Sequence, residues 1–264
     1  MRALYTAATG MAAQELAVQV ISNNVANLNT TGFKRQTVQF QDLLYEQQRR
    51  AGTATSDQNT QVPYGVFIGT GVKTSGTPRI MSQGNLSPTE RTYDLAINGE
   101  GFFKIQKPDG TYAYTRDGSF STDGQGRLVT TDGYLVEPTI TVPINSTSYS
   151  VNGLGQVSVV IPGTVTPQIL GQLTMTHFIN KTGLESLGNN LYGETAASGP
   201  AVDGLAGADG VGTLQQGYVE SANVNSVTEI TSLISAQRAY EFNSKVITAA
   251  DQMMSTTAQM FRAS

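Results

Sequence analysis

The chain has 264 residues, and only 14% of them are charged, against about 25% in an average globular protein. It holds no Cys, no Trp and a single His, so a disulfide framework, a thiolate metal site and a cysteine nucleophile are excluded. The formal net charge of −4 lacks the basic footprint of a general nucleic-acid binder.

Glycine and proline partition the sequence. All nine prolines fall between Pro63 and Pro200. Residues 222–264 contain neither residue type, and residues 1–28 contain only Gly10. Both ends therefore read as helical, and the middle reads as turn-rich β structure.

The first predicted element is a helix within residues 1–30. Leu4, Met11, Val18 and Val25 recur every seven residues, with Ala8, Ile21 and Leu28 between them. It ends near residues 27–29, where Thr30-Thr31-Gly32 breaks it and Gly32 supplies a left-handed turn. Residues 31–65 follow as a linker, because residues 46–63 are polar and carry no period.

A β-rich domain is predicted over residues 66–217. Asn98-Gly99 and the Asp-Gly pairs at 109–110, 117–118, 123–124 and 132–133 punctuate short apolar runs. That is the chemistry of tight antiparallel hairpins, with about five strands in residues 95–136. Further strands are expected near residues 149–151, 157–161 and 170–178. The Gly/Ala-rich stretch 194–213 leads back towards the C-terminal end.

The last predicted element, within residues 218–264, carries the clearest pattern. Ser226 and Glu229 have the spacing of a capping box. Leu233, Tyr240, Ile247, Met254 and Phe261 then recur every seven residues, flanked by Val246, Met253 and Met260. A helix over residues 227–262 would be about 54 Å long. The fold class is α+β: long N- and C-terminal helices pair as a coiled-coil-like unit, with a central antiparallel β-rich domain inserted between them. Such helices are expected to fray alone and to order among many neighbours.

No catalytic motif emerges. Every pair of spaced glycines lacks the third glycine of a dinucleotide loop, and neither a phosphate loop nor a G-x-S-x-G elbow is present. His177 alternates with apolar residues and reads as a strand-borne structural histidine. The run from Asp117 to Asp123 fails the calcium-loop spacing, and hairpin turns account for its aspartates. Lys34-Arg35 and Arg49-Arg50 read as solvated or interfacial basic pairs. No catalytic, cofactor or metal residue is assigned, and neither a nucleic acid nor a small-molecule substrate is expected.

The residues do resemble a known family. Residues 20–34, VISNNVANLNTTGFK, are similar to the signature of bacterial flagellar axial proteins: the rod, hook and hook-associated subunits. Asn23, Asn24, Asn27, Gly32 and Phe33 belong to that motif. The opening RALYTAATGM resembles the rod branch. QGNL at residues 83–86, NGEGFF at 98–103 and YTRDGSF at 114–120 are similar to the family's β domain. QGYVESANVN at 216–225 and QRAYE at 237–241 resemble its C-terminal motif. The motifs occur in the family's order along essentially the whole chain. Residues 43–71 resemble the extra segment of the distal rod that the hook lacks; proximal rod and hook branches are the alternatives. From a different class, the alternative is a secreted β-domain binding protein or enzyme.

The resemblance implies a structural role. The terminal helices would form the inner wall of a helical homopolymer, a rigid hollow drive shaft carrying motor torque to the hook, built through contacts that do not close. Leu4, Met11, Val18, Val25, Leu233, Tyr240, Ile247, Met254 and Phe261 would pack subunits together. Partners would be further copies, hook and proximal rod proteins, the outer bushing rings of the basal body and the flagellar export apparatus. The subunit would leave by the type III route without a cleaved signal peptide and assemble in the periplasm-spanning rod. Limited proteolysis is expected to trim it near residues 30 and 220.

Overall fold

A computed structural model describes residues 2–52, 63–163, 166–208 and 210–263, with helix side chains described through Met260. The chain divides into two compact units. The first comprises Met1–Val25, Gln36–Pro78 and Ser226–Ser264; the second comprises Ala26–Arg35 and Arg79–Asn225.

The first unit holds both long helices, α1 (Arg2–Ala26) and α2 (Ser226–Ala263). Neither contains proline, and α1 is rich in alanine, the best helix former. They pack against each other, as the α+β reading expects. The same unit carries two antiparallel ribbons. β1 (Gln39–Asp42) pairs with β4 (Val72–Gly76), and β2 (Tyr45–Arg49) pairs with β3 (Val66–Gly69).

The stretch read as a linker, residues 31–65, is therefore divided. Its first residues belong to the second unit, and Gln39–Asp42 and Tyr45–Arg49 are strands. Residues 53–62 lie outside the described residues. These strands escape a period-two reading because both faces are exposed, so no apolar alternation marks them. The partner of Tyr45–Arg49 is the apolar run Val66-Phe67-Ile68, about twenty residues on, and that of Gln39–Asp42 is Val72–Gly76.

Among its described residues, the second unit is all β in its regular elements, apart from one turn of 3-10 helix at Lys181–Gly183. Its strands are β5 (Leu86–Pro88), β6 (Leu95–Asn98), β7 (Phe102–Gln106), β8 (Tyr112–Thr115), β9 (Ser121–Thr122), β10 (Leu128–Val129), β11 (Leu135–Glu137) and β12 (Ser148–Val151). They continue with β13 (Gln156–Val160), β14 (Gln168–Gln172), β15 (Thr174–His177), β16 (Glu185–Gly188), β17 (Leu191–Gly193), β18 (Val202–Leu205), β19 (Thr213–Gln216) and β20 (Tyr218–Glu220). Nine of them form an antiparallel sheet in the order β16-β17-β8-β7-β11-β10-β9, with β15 bridging β7 and β18.

Strand β7 organises the core through simple alternation. Phe103 and Ile105 face one cluster with Leu95, Ile97, Val157 and Met175. Phe102 faces the other way, edge-on to Phe178 and Tyr192. Gly110 and Gly133 take the positive φ that their Asp-Gly turns predict. Gly118 does not; it is a glycine for a different reason, a close approach to β6 at Leu95.

Candidate assembly site

In the first unit, the seam between α1 and α2 is made of small residues. Ala7, Ala13, Ala17 and Val20 are buried on α1, and Ala236 and Ala250 on α2. The helices run antiparallel: Asn24 lies beside Glu229, Ala17 and Ala236 flank one groove, and Gly10 faces Asn243. A Cβ on Gly10 would come within 2.9 Å of the Asn243 amide nitrogen. That close approach leaves no room for a larger side chain at position 10 unless Asn243 moves.

The large apolar residues lie beside that seam rather than in it. Leu4, Met11, Val18, Val25, Leu233 and Ile247 are half-buried, and Tyr240 and Met254 are exposed. The side chain of Phe261 lies outside the described residues. Ile230, Ile234, Phe242, Val246, Met253 and Met260 are also exposed along α2. At the free end, Leu4, Ala250, Met253, Met254 and Ala258 line an open apolar groove of about 460 Å³.

The family-motif residues separate into two roles. Asn24 is fully buried and serves the first unit. Its Nδ2 donates to Gln36 O (2.8 Å) and to Glu229 Oε2 (3.1 Å), and its Oδ1 accepts from Gln36 N (3.0 Å). The amide thus acts as a strand partner for Gln36 and ties both helices together. Asn23 is exposed. Asn27 closes the turn after α1: its Oδ1 accepts from Thr30 Oγ1 and its carbonyl from Thr30 N.

Gly32 and Phe33 belong to the second unit, in a strap of residues 30–35 held by backbone and side-chain hydrogen bonds. Gly32 N donates to Glu220 O (2.7 Å), and Asn190 Nδ2 donates to Thr31 O (3.0 Å). Gly32 has a positive φ, and a Cβ there would meet Asp117 N at 2.7 Å. Phe33 is buried, and Asn223 Oδ1 accepts from Arg35 N (2.7 Å).

Lys34 corrects the expectation of a solvated basic pair. It is 1% exposed and meets Glu220, also 1% exposed, at 2.5 Å. Lys34 Nζ also donates to Ser82 O, and Gly84 N donates to the same Glu220 oxygen. Arg116 ion-pairs with the other Glu220 oxygen at 3.0 Å and donates to Gly101 O (2.7 Å) and Gly99 O (2.9 Å). Burial pulls the Lys34 ammonium below the usual lysine range, and the Glu220 carboxylate pulls it back up. Burial likewise lowers Arg116, again opposed by Glu220. Lys34, Gly84 and Arg116, from three of the motifs, thus converge on one carboxylate from the C-terminal motif, and Arg116 links it to the carbonyls of Gly99 and Gly101. Local pattern gave no sign of it; a short basic pair looks the same whether solvated or buried.

This junction stabilises structure and offers no reactive group to solvent. Among the described residues, no group of three or more His, Asp or Glu is placed to hold a metal ion. His177 closes β15. Asp117 and Asp123 accept backbone N–H bonds from Ser119, Gln125 and Arg127, as turn aspartates do. Because the strap and residues 218–223 are integral to the second unit, limited proteolysis should leave a resistant fragment that retains both, read by its mass. Cleavage near residues 30 and 220 at the rate of an unpacked segment would contradict this packing.

Three family models match the chain. The model described as "Flagella basal body rod protein" covers residues 4–34. "Flagellar hook protein FlgE/F/G D1 domain" covers residues 96–159, and "Flagellar basal body rod FlgEFG protein C-terminal" covers residues 215–260. The chain is 53% identical to the flagellar basal-body rod protein FlgG of Caulobacter vibrioides, over 98% of this chain and 99% of the relative. It is 38% identical to FlgG of Bacillus subtilis, over 99% and 100%. The flagellar basal-body rod protein FlgF of the same Caulobacter strain is 33% identical, over 98% and 95%.

Proposed function

We propose, for a chain that belongs to the family of flagellar basal-body rod proteins, that the half-buried and exposed apolar lines of its two helices are the surfaces through which copies pack into the rod. The chain is a structural subunit of the flagellar basal body and not an enzyme. It associates with itself and with other flagellar components. Among the described residues, no helix is long and apolar enough to cross a membrane.

Its place is the distal rod. Identity of 53% to FlgG against 33% to FlgF of one organism favours that branch over the proximal one. The ribbon of β2 and β3, Tyr45–Arg49 with Val66–Gly69, lies in the stretch of residues 43–71 that resembles the distal-rod segment. There the subunit would transmit torque between proximal rod and hook, inside the outer bushing rings, after delivery by the flagellar export apparatus.

One observation carries the packing assignment: the helix pair satisfies itself with small residues and leaves its large ones outside. Phe242, 63% exposed in the single chain, is the cleanest probe. Phe242→Asp should leave the circular dichroism of the subunit unchanged. It should raise the critical concentration for polymer sedimentation by about 30-fold or more, the effect of desolvating a polar group at about 2 kcal/mol. Leu233→Asp, on the half-buried line, should do the same. Normal polymerisation by both variants would remove the assignment.

A further inference from the structure

Sulfur chemistry in this chain rests on seven methionines, since it has no Cys. With no Trp either, methionine is the side chain that a mild two-electron oxidant meets first. Three of the seven stand within eight residues near the end of α2. Met253 is 64% exposed, Met254 39% and Met260 68%, whereas Met175 is sealed in the β core. Met253 and Met254 line the apolar groove with Ala3, Leu4, Ala250 and Ala258. The Thr257 hydroxyl on that groove already donates to the Met253 carbonyl at 2.7 Å.

We propose that Met253, Met254 and Met260 form an oxidant-sensitive site that gates assembly, an inference resting on the packing surface assigned above. In the free subunit a hydroperoxide reaches these thioethers. The sulfur attacks the O–O bond, takes up one oxygen and gives up two electrons; with hydrogen peroxide the other oxygen leaves as water. The product sulfoxide is polar and branched at sulfur. Its oxygen needs a hydrogen-bond donor, and the groove provides alkyl groups and a hydroxyl already committed. A sulfoxidised α2 therefore carries an unsatisfied polar group into a dry interface. A dithiol-using sulfoxide reductase reverses the step, returning the thioether with one disulfide and one water. Subunits already assembled are shielded, so the device acts on the free pool alone.

The test uses the full chain. Hydrogen peroxide followed by peptide mass analysis should place one added oxygen on Met253, Met254 and Met260 while Met175 stays unmodified. The oxidised subunit should need at least about tenfold more protein to polymerise, and sulfoxide reductase should restore it. The triple variant Met253→Leu, Met254→Leu, Met260→Leu, close in volume, should polymerise equally before and after peroxide. Unimpaired polymerisation of the trisulfoxide chain, or equal peroxide sensitivity in the triple variant, would overturn the proposal. If Leu233→Asp and Phe242→Asp still block assembly in that case, the packing surface stands and only the oxidant gate falls.

Discussion

Replacing Glu220 with Gln is expected to destabilise the second unit by about 3–5 kcal/mol, the cost of breaking a buried ion pair on one side. Two cations depend on this carboxylate, Lys34 at 2.5 Å and Arg116 at 3.0 Å, and all three side chains are nearly inaccessible to water. The amide keeps the shape and removes the charge, leaving Lys34 and Arg116 buried and repelling each other. Urea titration followed by circular dichroism would read the loss directly. The control is the exposed pair Arg2–Glu46 of the first unit, where Glu46→Gln should change stability by about 1 kcal/mol or less.

The variant should also acquire a particular pH dependence. In the parent chain burial lowers the Lys34 pKa, and Glu220 partly restores it. Without that carboxylate, desolvation and the neighbouring cations act unopposed, so the folded-state pKa falls further. Between that value and the ordinary lysine value, the folded chain binds fewer protons than the unfolded one. Stability of the variant must therefore rise with pH through that window. A loss below 1 kcal/mol, flat with pH, would show that the junction does not bear the charge assigned to it.

The second large effect is expected at Gly118. A Cβ on this residue would land on the carbonyl oxygen of Leu95, a fully buried residue of β6. The contact is fixed from both sides, because Leu95 N and Phe120 N donate to Gly118 O at 3.0 and 2.9 Å. Neither backbone can retreat without breaking these bonds. Gly118→Ala should cost about 3 kcal/mol or more, the upper range of overpacking. Gly110→Ala offers the contrast: its φ is +80° and nothing lies within 4 Å of the added carbon. That variant should lose only about 1–2 kcal/mol, the strain of a left-handed alanine. Similar losses at both sites, in denaturant midpoints, would mean that conformation rather than contact explains Gly118.

The two positions also show where sequence reading fails. Asp109-Gly110 and Asp117-Gly118 are the same dipeptide, and both predict a hairpin turn. Only the first is one, because a turn depends on its own four residues. The second depends on a strand more than twenty residues away, which no local pattern can announce. The seven-residue lines have the same history. Their period located both helices, but the seam that closes belongs to Ala17, Asn24, Glu229 and Ala236.

What the sequence determined by itself is therefore local. Helical ends, an antiparallel middle and the ordered motifs of the family follow from residue periods and turn chemistry, each set by neighbours along the chain. Tertiary structure alone decided which groups compensate one another. Asn24 finds Glu229 across 205 positions, and Lys34 finds Glu220 across 186. A polar side chain is written identically whether water or a distant partner satisfies it, and only the fold withdraws the water.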